Sequence, residues 1–129
     1  MYTMRSIPVL MTAALLAAAQ ALASQTTAKG VEEPSATPTL NVAVVQGCFS
    51  SPGELVEVTT LEYNSKDECS VKTCKAQGKA VAATMGGNQC WCGDKYPPQI
   101  AMVNDTSCNI GCTGYDYDAC SYSAFQVWL

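Results

Sequence analysis

Eight cysteines and no histidine set the chemistry open to this chain. The cysteines, Cys48, Cys69, Cys74, Cys90, Cys92, Cys108, Cys112 and Cys120, all follow a hydrophobic leader. Thiolates can act as nucleophiles, redox partners or zinc ligands, but the Ser-His and Cys-His nucleophile systems need a histidine that is missing, and no histidine assists a zinc site. An even cysteine count in an exported chain points instead to four disulfides, which leave no thiolate to react. A glycosidase would need two carboxylates flanking a sugar, and Asp116 with Asp118 supplies two acids close in sequence. A module this small offers no groove deep enough to distort a sugar, so the pair reads as an Asp-rich turn. No catalytic residue, cofactor or metal is expected.

The other residues with chemistry to offer are aromatic. Sugar rings present C–H faces that stack on aromatic side chains, and their hydroxyls need amide or carboxylate partners. Trp91, Tyr96, Tyr115, Tyr117 and Tyr122 lie beside Asn88, Asp94, Asn109, Asp116 and Asp118 in polar segments. We take Trp91, Tyr96, Tyr115, Tyr117, Tyr122, Asn88, Asp94 and Asp116 as the candidate carbohydrate-binding set. The competing expectation is that Trp91 caps a small core and the tyrosines cover loops, since Tyr and Trp are commonly half-buried. Phe49 and Phe125 read as core; Trp128, on a terminal strand, could face protein or water.

These residues need a scaffold, and the first 43 do not supply it. Arg5, the apolar run Ile7 to Ala19 and the small-x-small step Ala21-Leu22-Ala23 have the form of a secretory signal cut after Ala23. Residues 24–43 are rich in Ser, Thr, Ala and Pro and read as a flexible arm, open to O-glycosylation at Thr26, Thr27, Ser35, Thr37 or Thr39. Arg5 is the only charge in residues 1–23, so of 7 basic and 11 acidic residues the mature chain keeps six and eleven, near −5. With no basic cluster, neither nucleic acid nor anionic lipid is an expected partner. The mature protein is expected to be a secreted monomer with no membrane association. Asn104-Asp105-Thr106 is an N-glycosylation sequon.

The folded unit then spans residues 44–129, with crosslinks supplementing a core of marginal size. Ser65 with Glu68 three residues on has the capping-box pattern, and lysines and Gly78 close the far end, predicting a helix over Lys66 to Gln77. Ala80 to Met85 and Gln89 to Gly93 read as a hairpin around Gly86-Gly87-Asn88, with further strands at Val44 to Phe49 and Ala124 to Leu129. Cys90 and Cys92, two apart on a strand, project from one face and Trp91 from the other. The helix with Cys69 and Cys74 is the natural layer to receive them, so we would pair Cys69 with Cys90 and Cys74 with Cys92. Cys112 and Cys120 would then staple a local loop and Cys48 reach Cys108. Eight cysteines allow about 105 connectivities, and spacing alone does not select one.

Gly47-Cys48-Phe49, the Cys69 and Cys74 pair, Cys90-Trp91-Cys92-Gly93-Asp94, Ser107-Cys108-Asn109, Cys112, Cys120 and the terminal strand together resemble a WSC domain, the cysteine-rich module of fungal cell-wall sensors and other extracellular proteins. The resemblance covers residues 44–129. It implies an α+β fold related to PAN/apple domains, one main helix on a short antiparallel sheet, and the disulfide order above. It also implies non-catalytic binding of cell-wall polysaccharide, often β-glucan; the alternative is a small secreted effector or structural protein that contacts another protein. The chain departs from the family in two places. Cys69 and Cys74 are five apart where four is usual, which on a regular helix places them about 140° apart, so the helix either ends before Cys74 or carries a bulge. Ser121-Tyr122 replaces the usual pair of glycines.

Overall fold

The computed structural model describes Pro34, residues 42–121 and residues 124–128. The signal at 1–23, most of the arm at 24–43 and Tyr122 therefore lie outside the described residues. The described chain forms six strands: β1 (Val45–Phe49), β2 (Val56–Thr60), β3 (Val81–Met85), β4 (Gln89–Gly93), β5 (Met102–Val103) and β6 (Phe125–Trp128). They make one sheet in the order β2-β4-β3-β6-β1-β5, and every neighbouring pair is antiparallel. The sheet thus dominates a single short helical segment. The sequence reading gave four of these strands and missed two, β2 and β5, which form the edges.

Both faces of the sheet are covered, which is why β3 and β6 are buried along nearly their whole length. The helical face holds Val45, Ala82, Trp128 and the cysteines of β4 and the helix. The opposite face packs Phe49, Leu55, Val81, Ala83, Phe125 and Val127, with Trp91 partly buried against them. Trp91 and the two cysteines beside it do point to opposite faces, as alternation along a strand requires. Trp128 is fully buried, so its strand faces protein on both sides.

The helical segment occupies the expected residues but is not a regular α-helix. After a first turn at Lys66 and Asp67 the chain widens into a π-helical stretch, Glu68–Cys74, and then tightens to a 3₁₀ turn, Lys75–Gln77. The Lys75 N–H reaches back five residues to the Ser70 carbonyl. A turn closed by an i→i+5 bond holds more residues than an α-turn, so side chains five apart fall near one face. That is the bulge the cysteine spacing demands: both Cys69 and Cys74 face the sheet and are buried. The Ser65 hydroxyl accepts the Glu68 N–H at 3.2 Å, while the Glu68 carboxylate pairs with Lys72 one turn on. The far end closes as a Schellman motif, with Gly78 N–H on Lys75 O at 3.0 Å and Lys79 N–H on Cys74 O at 2.9 Å. Gly78 has φ +72°, the left-handed value this motif needs.

Four disulfides join these parts: Cys48–Cys108, Cys69–Cys90, Cys74–Cys92 and Cys112–Cys120. They are the pairs expected above and implied by the resemblance to WSC domains. Two of them fasten the helical segment to β4, one ties β1 to the loop after β5, and the last closes the hairpin-like loop that precedes β6. The Sγ atoms of Cys69, Cys74 and Cys90 lie within 4.8 Å of one another. All three are bonded to sulfur, so none is a thiolate ligand. Among the described residues no helix is long and apolar enough to cross a membrane.

Candidate functional site

The loop closed by Cys112–Cys120 is built from the centre of the sheet outward. Trp128, buried in β6, donates its indole N–H to Thr84 Oγ1 at 3.3 Å, and the Thr84 hydroxyl donates to the Ala119 carbonyl at 2.8 Å. This chain of bonds links fully buried groups, where each link strengthens the next. It fixes the C-terminal stem of the loop. The backbone adds Cys112 N–H to Asp118 O at 2.9 Å, Asp118 N–H to Tyr115 O at 3.1 Å and Cys120 N–H to Ile110 O at 2.7 Å. Gly87 in the β3–β4 turn donates to Cys120 O at 3.0 Å and accepts Thr113 N–H at 3.1 Å. The loop is therefore held on the hairpin turn that carries Asn88.

Its second attachment is to the segment before the helix. Gly114 N–H donates to Asn64 O at 2.6 Å, and Asn64 N–H donates to Thr113 Oγ1 at 3.0 Å. A Cβ at Gly114 would sit 2.7 Å from Asn64 O, so only glycine permits this approach. Asp118 makes the third. Its Oδ2 accepts the Lys66 backbone N–H at 2.9 Å, and Lys66 Nζ lies 4.0 Å from Oδ1 and 5.5 Å from the centre of the Trp128 ring. Burial pushes the Asp118 carboxyl above the ordinary aspartate range, against the opposing pull of the Lys66 N–H and ammonium. Asp118 is thus committed to the helix start and is not a general acid facing a substrate. The reading of Asp116 and Asp118 as an exposed Asp-rich turn needs correcting for Asp118, which is 7% exposed because the loop folds over the helix start.

What this frame holds outward is a pair of rings. Tyr115 and Tyr117 are 53% and 50% exposed, with ring centres 5.3 Å apart and planes tilted by 38°. Asp116 stands between them in sequence, and exposed Asn88 lies in the adjoining turn. Tyr63, 70% exposed, precedes the Asn64 that meets Gly114. It was missed because Glu62-Tyr63-Asn64 carries no cysteine or strand pattern, and its neighbours Thr113 and Gly114 lie about 50 residues away in sequence.

The remaining candidates lie elsewhere. Trp91 sits mid-strand with one edge against Phe125, ring centres 5.1 Å apart and near perpendicular, its indole N–H on Gln89 Oε1 at 3.4 Å. Asp94 and Tyr96 follow the far end of β4. At about 3.3 Å per strand residue, roughly 20 Å separates Asn88 from Asp94, so one platform cannot include both ends. Asp94 pairs with Lys79 at 3.0 Å and borders an open groove of about 330 Å³ whose apolar lining is Val56 and Val58 of β2. The Tyr96 phenol is pushed up by partial burial. The structure therefore sets Tyr115, Asp116 and Tyr117 on a loop fastened to the turn that carries Asn88, with Trp91 packed on Phe125 and Asp94 and Tyr96 beyond the far end of β4.

Comparison with known proteins places this scaffold. The chain is 35% identical over 85 residues to an uncharacterized protein in the LEU2 3' region of Pichia angusta, covering 61% of this chain and 21% of that one. It is 31% identical over 85 residues to Protein SLG1 of Saccharomyces cerevisiae, covering 62% of this chain and 22% of that one. A third relative, the xylosyltransferase oxt of Drosophila pseudoobscura pseudoobscura, is 29% identical over 91 residues, 67% of this chain and 10% of that one. The chain thus spans about a fifth of the first two relatives and a tenth of the third. The family description of the WSC domain matches residues 45–122, the span that holds all eight cysteines and the tyrosine loop, and this chain belongs to the WSC domain family.

Proposed function

We propose that this protein is an exported, non-catalytic module that binds cell-wall polysaccharide of the β-glucan type through the Tyr115–Tyr117 surface. One observation carries the reading: two half-exposed aromatic rings are held side by side on a loop fixed by a disulfide, a buried carboxylate and a hydrogen-bond chain to the core. Rings held this way lose little freedom on binding, so the contact energy is not offset by ordering cost. Asp116 and Asn88 offer an acceptor and an amide to sugar hydroxyls. The acidic surface and the WSC relationship support the same partner class and argue against nucleic acid. The resemblance to a xylosyltransferase covers a tenth of that enzyme, which fits an accessory module rather than its chemistry.

The test is retention of the oxidised monomer on insoluble β-1,3-glucan, chitin, mannan and cellulose. Each ring contributes about 0.5–1.5 kcal/mol, so the double variant Tyr115→Ala, Tyr117→Ala lowers affinity for the retained polymer by about 5- to 150-fold. Tyr96→Ala, at the other end of β4, leaves it unchanged. A second reading rests on β2, an edge strand whose Val56 and Val58 are exposed and could pair with another protein. Failure to be retained on any of the four polymers refutes the sugar reading and favours this one.

A further inference from the structure

The other edge of the sheet poses a different question. Among the described residues β5, two residues long, pairs only with β1, through Cys48↔Val103 and Phe49↔Met102. Met102 within it is 45% exposed, and Ile100, two residues before, is 96% exposed. A strand this short offers little backbone for strand addition, so what the edge leaves open to another copy is the apolar side-chain surface of Ile100 and Met102, which proteins ordinarily offset with charge or cover. β2 at the opposite edge carries a register shift and the charged Glu57. β5 itself, Met102–Val103, carries no charge.

The sequon begins on the next residue. Asn104 is exposed and caps the short turn Asp105–Ser107: its Oδ1 accepts the Thr106 N–H at 3.0 Å and the Thr106 hydroxyl at 2.9 Å. Both bonds use the amide oxygen, so the amide nitrogen, the atom to which a glycan attaches, is outside the turn's hydrogen bonding. The segment is fixed relative to the sheet by Ser50 N–H on Ala101 O at 2.8 Å and by the Cys48–Cys108 disulfide four residues further on. A sugar joined at Asn104 is therefore anchored one residue from the β5 edge, within reach of the apolar surface of Ile100 and Met102.

From this geometry we infer that Asn104 carries an N-linked oligosaccharide whose inner sugars cover the β5 edge and keep the domain from self-associating. The co-reactant is a lipid-linked pyrophosphoryl oligosaccharide of the secretory pathway. Asn104 Nδ2 forms a bond to the anomeric carbon, the bond from that carbon to the phosphate oxygen breaks, the lipid pyrophosphate leaves with the electron pair, and the amide gives up one proton. This role is independent of the tyrosine surface.

The full chain secreted from a yeast host tests it. The mass of the mature protein falls by one oligosaccharide on treatment with an amidase that cleaves the glycan–asparagine bond. Asn104→Gln and Thr106→Ala abolish the modification, and Thr106→Ser retains it. Deglycosylation of the already folded protein separates the effect from any folding defect of the variants, and because the amidase leaves an aspartate at 104, Asn104→Gln serves as the uncharged reference. Sedimentation is expected to show a roughly tenfold rise in self-association constant on deglycosylation, and Met102→Lys in the deglycosylated protein reverses it. Secreted protein unmodified at Asn104 overturns the site, and a deglycosylated protein as monomeric as the glycosylated one overturns the role.

Discussion

Removing the Cys69–Cys90 bridge should cost less when Cys74–Cys92 is intact than when it is absent, because the two crosslinks share a path. With Cys74–Cys92 in place, Cys69 and Cys90 are already connected by the five residues to Cys74, the other disulfide and the two residues from Cys92 back to Cys90, a ring of about eight residues. Chain entropy assigns that ring about 2.5 kcal/mol. Without it, Cys69–Cys90 closes a loop with a sequence separation of 21. A loop that long is worth about 3.3 kcal/mol. The pair variants Cys69→Ala, Cys90→Ala and Cys74→Ala, Cys92→Ala and the fourfold variant form a cycle with a coupling of about 0.8 kcal/mol, beyond the ~0.3–0.5 kcal/mol scatter of independent sites. Lost packing of each sulfur enters both sides and largely cancels. Equilibrium urea unfolding measures it, in sulfate if the fourfold variant is too weak to give a folded baseline. Strictly additive losses, or a fourfold variant more stable than the sum of the two pairs implies, would refute the shared-path reasoning.

Trp91→Ala is expected to lower unfolding stability by about 2–3 kcal/mol through lost contact with Phe125 while leaving glucan retention of the folded fraction unchanged, as urea unfolding and pull-down can show together. Thr84→Val strands both the Trp128 indole N–H and the Ala119 carbonyl and should cost about 1–3 kcal/mol in thermal or urea unfolding. Asp118 is the group to titrate. Its native carboxyl keeps its proton to higher pH than the unfolded one, so the folded state binds more protons between the two values and stability falls as pH rises through that window. Asp118→Asn should flatten this slope in unfolding measured against pH and keep an acceptor for the Lys66 N–H. Asp118→Ala loses that acceptor at about 1 kcal/mol.

Local signals carried the sequence reading well where chemistry acts at short range. Ser65, Glu68 and Gly78 bounded the helical segment because caps act within one turn, and the five-residue step from Cys69 to Cys74 already required departure from regular α-geometry. Cys-x-Cys on a strand determined which face meets the helix. β2 was missed although Val56-Glu57-Val58-Thr59-Thr60 has strong strand composition, because an exposed edge shows no buried-face alternation: nearly all of it is solvent-facing. β5, at two residues, is too short to have a pattern. At the site, the Tyr115 and Tyr117 pairing was legible as local proximity, whereas the separation of Tyr96 from it is a property of strand length and sheet direction. Asp118 read as a solvated acid because its partner, the Lys66 backbone, lies far away in sequence.

The register that sets Val45 opposite Trp128 places the first and last strands of the unit side by side in antiparallel order, with Cα atoms about 5 Å apart. The polypeptide consequently arrives and departs through a single doorway. A unit with that layout can be threaded into a host protein's surface loop, or hung between neighbouring modules, without prying the host's own ends apart. Such portability fits a stretch of similarity that makes up only about a fifth, or a tenth, of the relatives' length.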